Sequence, residues 1–270
     1  VIHRQASTGE FDLATYEPGE ALRPFVDHYW AVRWDRHGRP PWVSETIPFP
    51  AVHLSVESGD PGEVRHGVPM PATLIHGVVM RRFVIELTGS GRVLGVKFRP
   101  GGFWAWARVP VDGYTDRAGP VGGLCRGELA RAGDQVLATE ADEDRVAVLD
   151  TVLVRHAPEP SDSALRLIAL VDAMREDPAL IRVEQLPERC GWTVRTIQRL
   201  FRRYVGASPK WVLARYRLQE AALAIDADPA ADLAELAHSL GWYDQAHFTN
   251  DFREMLGVTP GEYAMRAAGR

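Results

Sequence analysis

Cysteine is almost missing from this chain of 270 residues, which has only Cys125 and Cys190. Two cysteines build no disulfide framework, and neither sits in a zinc-ligand spacing, so the expected compartment is a reducing cytoplasm. No apolar run approaches the roughly 18 residues that span a bilayer, and no secretory pattern opens the chain. Val1 suggests a trimmed start. Neither charge dominates, with 31 Lys and Arg against 36 Asp and Glu and a formal net charge of −5. A Gly-rich phosphate loop, a nucleophile elbow and a close carboxylate pair in an apolar setting are all missing. No catalytic residue, cofactor or metal is therefore assigned, and the chain is not expected to be an enzyme.

What is present is a local excess of one charge. From Arg189 to Gln219 the cations are Arg189, Arg195, Arg199, Arg202, Arg203, Lys210, Arg215 and Arg217, with no Asp or Glu among them. The segment 161–270 as a whole has 14 Lys and Arg against 15 Asp and Glu, so the clustering, not the domain's net charge, points to a polyanion. Gly191 and Trp192 end one helix, Thr193 supplies a capping oxygen for the next, and Ile197, Leu200 and Phe201 share its apolar face. Arg195, Gln198, Arg199 and Arg202 share the opposite face. Cys190, just ahead of the turn, reads as a small core residue.

The arrangement occurs twice. Leu186, Gly191 and Trp192 return fifty residues on as Leu236, Gly241 and Trp242, and Ile197, Phe201, Gly206 and Pro209 return fifty-one on as Phe248, Phe252, Gly257 and Pro260. Two helix-turn-helix units explain the repeat, with one residue added to the second turn. An amphipathic run over 208–225, capped by Ser208 with Pro209 in its first turn, is the expected strut between them. Two recognition helices on one side of a duplex stand about 34 Å apart.

Residues 161–266 resemble the DNA-binding domain of the AraC/XylS family of transcription regulators. LGWYDQAHFTNDFREMLGVTPGEY (240–263) carries the resemblance, together with TIQRLFRRYVGASP (196–209). It implies an all-α, seven-helix module whose third and sixth helices enter adjacent major grooves. By position, Arg195, Thr196, Gln198 and Arg199 of the first unit would face bases, as would Gln245, Ala246, Thr249 and Asn250 of the second. The second helix departs from the family's commoner pattern in offering no arginine and in carrying Asp251. Arginine bonds guanine bidentately, so the first unit is expected to dominate affinity. Thr193, Arg202, Arg203, Lys210, Arg215 and Arg217 are expected on phosphates.

The N-terminal half alternates in strand fashion over 45–48, 52–57, 72–79, 83–87 and 93–98, with Gly89-Ser90-Gly91 expected to close a hairpin between the last two. This pattern predicts a small β-barrel or sandwich, and with the helical C-terminus an α+β chain. The half resembles the often cupin-like sensor domain of the same broad family, through VLGVKFRPGGF (93–103). A short helix at Phe103–Trp106 and a longer apolar-striped one over 143–156 should flank it, the latter either pairing two subunits in a homodimer or packing on the barrel. Prolines 158 and 160 mark a linker, giving domains 1–157, 158–162 and 163–270.

Trp30, Phe49, His53 and Trp104 are candidate effector-binding residues, although Trp30, Trp34, Trp42, Trp104 and Trp106 also suit a core. His53, His66 and His76 could converge as imidazole ligands in a barrel, or be hydrogen-bonded structural residues. The reading is a transcription regulator that binds double-stranded promoter DNA and responds to a small-molecule effector. The alternative is a metal-dependent barrel enzyme or metal sensor fused to a DNA-tethering module, and a weaker one is an alkylation sensor using Cys125 or Cys190. Effector, operator, sign of regulation and oligomeric state are not encoded as motifs.

Overall fold

The structure, a computed structural model, describes residues 10–46, 49–80 and 83–269. Val1 and positions 47–48 of the expected 45–48 strand lie outside them. In chain order the N-terminal half contains β1 (Asp12–Tyr16), β2 (Val26–Asp35), β3 (Trp42–Thr46), β4 (His53–Ser58), β5 (Val64–Arg65), β6 (Val68–Pro69), β7 (Ala72–His76), β8 (Phe83–Leu87), β9 (Ser90–Phe98), α1 (Gly102–Ala107), β10 (Ala118–Pro120), α2 (Glu128–Ala138) and α3 (Asp142–Arg155). Six strands form one antiparallel sheet in the order β1-β2-β9-β4-β7-β10. β3 and β8 make a separate two-stranded ribbon, and β5 and β6 a short hairpin.

Alternation gives the large sheet two unlike faces. One buries Tyr29 and Ala31 of β2, Leu54 and Val56 of β4, and Leu94, Val96 and Phe98 of β9 against Phe103 and Trp106 of α1, Leu129 and Val136 of α2, and Leu149 and Leu153 of α3. The other carries Trp30 and Trp34 of β2, laid across Gly95 and Gly91, their cross-strand partners on β9. A β-carbon at either glycine would enter the tryptophan ring, so the two glycines are the space that the indoles occupy. Trp34, Leu87 and Val93 form a small second core there, with Trp42 and Ile85 of the ribbon packed on it.

Two expectations are corrected. The large sheet is open, with β1 and β10 as its edges, and among the described residues no strand closes it into a cupin-like barrel. β8 and β9 do not form a hairpin. β9 is paired along both edges, to β2 and β4, so β8 crosses away and pairs with β3. Of the two readings offered for α3, the structure shows the packing one: Val146, Leu149, Val152 and Leu153 lie in the core beneath the large sheet.

The C-terminal half is helical: α4 (Asp162–Glu176), α5 (Leu186–Cys190), α6 (Val194–Leu200), α7 (Pro209–Ala227), α8 (Leu233–Ser239), α9 (Gln245–Leu256) and α10 (Pro260–Ala268). These segments are not seven clean helices. A 3-10 turn, Val183–Gln185, precedes α5, and a π turn, Phe201–Val205, carries α6 onward. Two cores fill the half, one around Ile197 and Phe201 and one around Phe248 and Phe252. α7, with Ser208 capping it, contributes Val212, Leu213 and Tyr216 to the first and Leu218, Ala222 and Ile225 to the second. Its 19 residues span about 28 Å at 1.5 Å each.

The halves meet at the end of the first unit. α4 gives Ala164 and Ile168 to the sheet's core and Leu167, Leu170 and Val171 to the helical one. Val111 N–H donates to Arg203 O at 2.7 Å, and Thr115 Oγ1 donates to Gly206 O at 2.8 Å. Trp104 of α1 stacks on Tyr204 of the π turn. Gly206 has φ +86, and a β-carbon there would stand 2.8 Å from Val111 Cγ1, so both the turn and the junction require glycine.

Candidate nucleic-acid interface

Each unit is built from a short helix, a glycine turn and a capped second helix. In the first, Gly191 ends α5 at φ +70, and Thr193 Oγ1 accepts from Thr196 N–H at 3.2 Å to start α6. In the second, Gly241 turns at φ +84, and Asp244 Oδ1 accepts from His247 N–H at 2.7 Å to start α9. The tryptophan after each glycine lies under an arginine, Arg166 over Trp192 at 4.9 Å and Arg217 over Trp242 at 4.8 Å.

On α6, Ile197 is buried, while Arg195, Gln198 and Arg199 are exposed, as are Arg202 and Arg203 in the π turn and Lys210 at the start of α7. Thr196 is half-buried beside them. Arg195, Arg199, Arg202 and Lys210 have no ion-pair partner among the described residues. Some arginines elsewhere are matched, as Arg65 is with Glu57 and Glu63, Arg99 with Asp172, Arg155 with Glu128 and Arg189 with Asp177, while exposed ones such as Arg117, Arg131 and Arg182 are not, so it is the clustering on one face that sets α6 apart. Exposed cations gathered on one face of a capped helix are chemically suited to phosphates and guanine edges.

Two expected phosphate contacts are placed otherwise. Arg215 is only 4 % exposed, donates to Met80 O at 3.1 Å and lies over Trp211. Burial lowers its pKa to about 10, and it cannot reach a phosphate from there. Arg217 is half-buried and donates to Leu240 O at 3.3 Å, so its guanidinium fastens the strut to the second turn. Thr193 is exposed, but its hydroxyl serves as the cap and donates to Thr196 Oγ1 at 3.1 Å.

On α9, Gln245, Ala246 and Asn250 are exposed and Thr249 half-buried. Asn250 Oδ1 accepts from Arg253 at 3.2 Å, which brings an exposed cation to this face. Asp251 accepts from Trp242 Nε1 at 2.9 Å and faces His247 Nε2 at 3.3 Å, so its charge is engaged in holding the turn. Tyr243 is 92 % exposed in the turn ahead of α9, beside these residues. Tyr243 is not among the residues expected from sequence, and its place between the glycine turn and the Asp244 cap is its one local signal.

The four candidate effector residues do not form one pocket. Trp30 Nε1 donates to His53 Nδ1 at 3.2 Å, and Phe49 lies under Lys97 Nζ at 4.1 Å, with Lys97 opposite His53 in the β4–β9 register. Trp104 points to Tyr204, at the junction. A groove of about 530 Å³ opens by Arg33, Trp34 and Arg92, and none of the four lines it. Of the three histidines, His66 and His76 lie together with Glu57, a residue the sequence reading did not consider, and His53 is not in that group. Cys190 is buried, its thiol 3.3 Å from Leu186 O, as expected of a core residue. Burial, with Glu128 nearby, pushes the Cys125 thiol up to about 11, far from the thiolate a methyl acceptor needs.

This geometry defines a double helix-turn-helix DNA-binding module. Residues 186–266 match the family described as "Helix-turn-helix domain", and residues 14–120 match one described as a domain of unknown function, DUF6597. The chain is 27 % identical over 126 residues to an uncharacterized HTH-type transcriptional regulator of Haemophilus influenzae, covering 43 % of this chain and 42 % of that protein. It is 28 % identical over 101 residues to the putative HTH-type transcriptional regulator YkgA of Escherichia coli, covering 37 % and 41 %. The chain thus spans about two fifths of the length of these curated relatives. A solved structure of a probable AraC family transcriptional regulator from Rhodopseudomonas palustris is 30 % identical and covers 38 % of this chain and 96 % of its own, with a TM-score of 0.35. Residues 186–266 are thus a helix-turn-helix domain of the AraC type. No helix among the described residues is long and apolar enough to cross a membrane.

Proposed function

We propose that the protein regulates transcription by binding duplex DNA in a sequence-dependent way, with the N-terminal domain setting how the first unit is held. The observation that carries this is the unmatched cationic face of α6. Single unpaired arginines occur elsewhere on the surface, but here Arg195, Arg199, Arg202, Arg203 and Lys210 are exposed together in a stretch, 190–219, that contains no Asp or Glu. Arg195, Thr196, Gln198 and Arg199 read bases, with Gln245, Ala246, Thr249 and Asn250 adding a weaker second contact. Arg202, Arg203 and Lys210 dock phosphates, and the helix start at Thr193 faces the backbone. The proposed division of labour is 1–157 for sensing, 158–162 as linker and 163–270 for DNA.

A small-molecule effector is assigned to the sheet face of Trp30, Phe49 and His53. Its route to DNA is the junction, because Val111, Thr115 and Trp104 grip the π turn that directly continues α6. The test is selection of genomic fragments by the purified chain at about 150 mM salt, where a contact that depends on phosphates alone is screened. Enrichment of a few promoters with two half-sites about one helical turn apart is expected. Uniform recovery of all fragments would reduce the protein to a non-specific DNA binder.

A further inference from the structure

Below the tip of the β5–β6 hairpin, three donors converge on the outer face of the large sheet. Glu57 projects from β4, His76 from β7 and His66 from the turn between β5 and β6, and one ligand atom of each lies within 4.8 Å of the others. Glu57 is 4 % exposed. Its Oε1 is 3.0 Å from His76 Nε2 and accepts from Ser55 Oγ at 2.6 Å. The His66 ring meets the His76 ring edge-on, with centroids 4.8 Å apart, from a backbone in the left-handed region at φ 53. We propose that Glu57, His66 and His76 form a binding site for a divalent transition-metal ion of the zinc class, a site independent of the DNA-reading surface.

The donor set selects the metal. Two imidazoles and one carboxylate suit zinc, cobalt or nickel, whereas magnesium and calcium require oxygen ligands. Three protein ligands leave a fourth position open for water or a small donor molecule. Tetrahedral donors about 2 Å from an ion stand roughly 3.3 Å apart, so the Glu57–His76 separation already fits. Closing the rest needs a small swing of His66, the one donor carried on a hairpin tip. His76 Nε2 lies between Glu57 Oε1 and Ser55 Oγ, which is 2.8 Å away, and any proton it carries there is what the ion displaces, released to solvent on binding.

Local charge permits a cation. Arg65 faces Glu57 Oε2 at 3.2 Å, but it is also paired with Glu63 at 2.6 Å, so two carboxylates stand against one guanidinium.

The full chain, dialysed against a chelator, would be titrated with Zn²⁺ by calorimetry and with Co²⁺ by visible absorption. One ion per chain is expected, with cobalt d–d bands of a nitrogen and oxygen site and no competition from excess Mg²⁺. His66→Gly, which the positive φ favours and which leaves the hairpin intact, should weaken Zn²⁺ by more than about a hundredfold, beyond what losing a supporting hydrogen-bond partner costs. His76→Gln should do the same, while His53→Gln should leave affinity unchanged, with urea midpoints confirming that each variant is folded. Absence of stoichiometric binding by the parent chain, or binding that survives both His66→Gly and His76→Gln, overturns the proposal. So does loss of binding in His53→Gln alone.

Discussion

Trp104 and Tyr204 stack across the junction, with ring centroids 3.6 Å apart and planes inclined by 23°. One belongs to α1 of the sheet domain, and the other to the π turn that continues the reading helix. Such a pair is worth about 0.5–1.5 kcal/mol beyond its buried area. A double-mutant cycle of Trp104→Ala and Tyr204→Ala should therefore show a coupling energy of that size in urea unfolding. Additive losses would mean that the rings only abut and that the backbone bonds of Val111 and Thr115 hold the junction alone.

Base reading and phosphate docking separate by their dependence on sequence and salt. Arg199→Ala should cost about 1–3 kcal/mol on a selected site and little on random DNA, relaxing preference at one position. Arg202→Ala should weaken both by a similar factor and shallow the salt slope by about one unit. Fluorescence anisotropy at three salt concentrations gives both quantities. Equal losses for Arg199→Ala on the two DNAs would remove it from the base-reading set.

Much of the DNA-binding half was legible because its signals are local and repeated. The caps Thr193 and Ser208 and the glycines 191, 206, 241 and 257 mark helix ends through their own side-chain or φ preferences, so a one-dimensional reading finds them. Arg215 was misplaced because α7, expected to be amphipathic, is buried on nearly every side, with Val212, Leu213, Arg215, Tyr216, Leu218 and Gln219 all buried, so no polar stripe discloses which cation turns inward, and its partner, Met80 O, is 135 positions away. The sheet was harder. Short strands such as β5, β6 and β10 have too few residues to show alternation, and α2 follows a glycine-rich stretch that reads as loop. The expected β8–β9 hairpin failed because sequence neighbours do not always pair once β9 has partners on both edges. Glu57 escaped notice because it reads as the polar residue of an alternating strand, and only the fold brings His66 and His76 to it.

Gly95 tests the packing of the outer face. A β-carbon there would enter the Trp30 ring, so Gly95→Ala should cost about 1–3 kcal/mol as an overpacking substitution. Gly119→Ala, on the edge strand β10 with nothing within 4 Å of the added carbon, is the control and should be nearly neutral. Urea midpoints of the two variants decide it, and indistinguishable values would mean that Trp30 moves aside freely.

Arg215 offers a contrast with the exposed arginines. Arg215→Ala leaves the Met80 carbonyl without its donor and removes the stack on Trp211, a loss of about 1–3 kcal/mol in stability. The salt slope of DNA binding should not change. A shallower slope at unchanged stability would return the residue to the phosphate-contacting set.

Acid should weaken the fold in two stages. Burial, with the charges of Lys97 and His76, takes the His53 pKa from 6.5 down to about 3. Between those values the unfolded chain binds a proton that the folded chain refuses, so stability falls as pH drops through the window. Glu57 acts in the same direction lower down, between 4.5 and about 2, because its folded carboxyl is held ionised by His76 and Ser55 against the effect of burial. His53→Gln keeps an acceptor for Trp30 Nε1 and removes the titration. Urea midpoints from pH 7 to pH 4.5 should therefore fall less steeply in His53→Gln than in the parent chain, and equal slopes would mean that His53 takes up its proton without cost in the folded state.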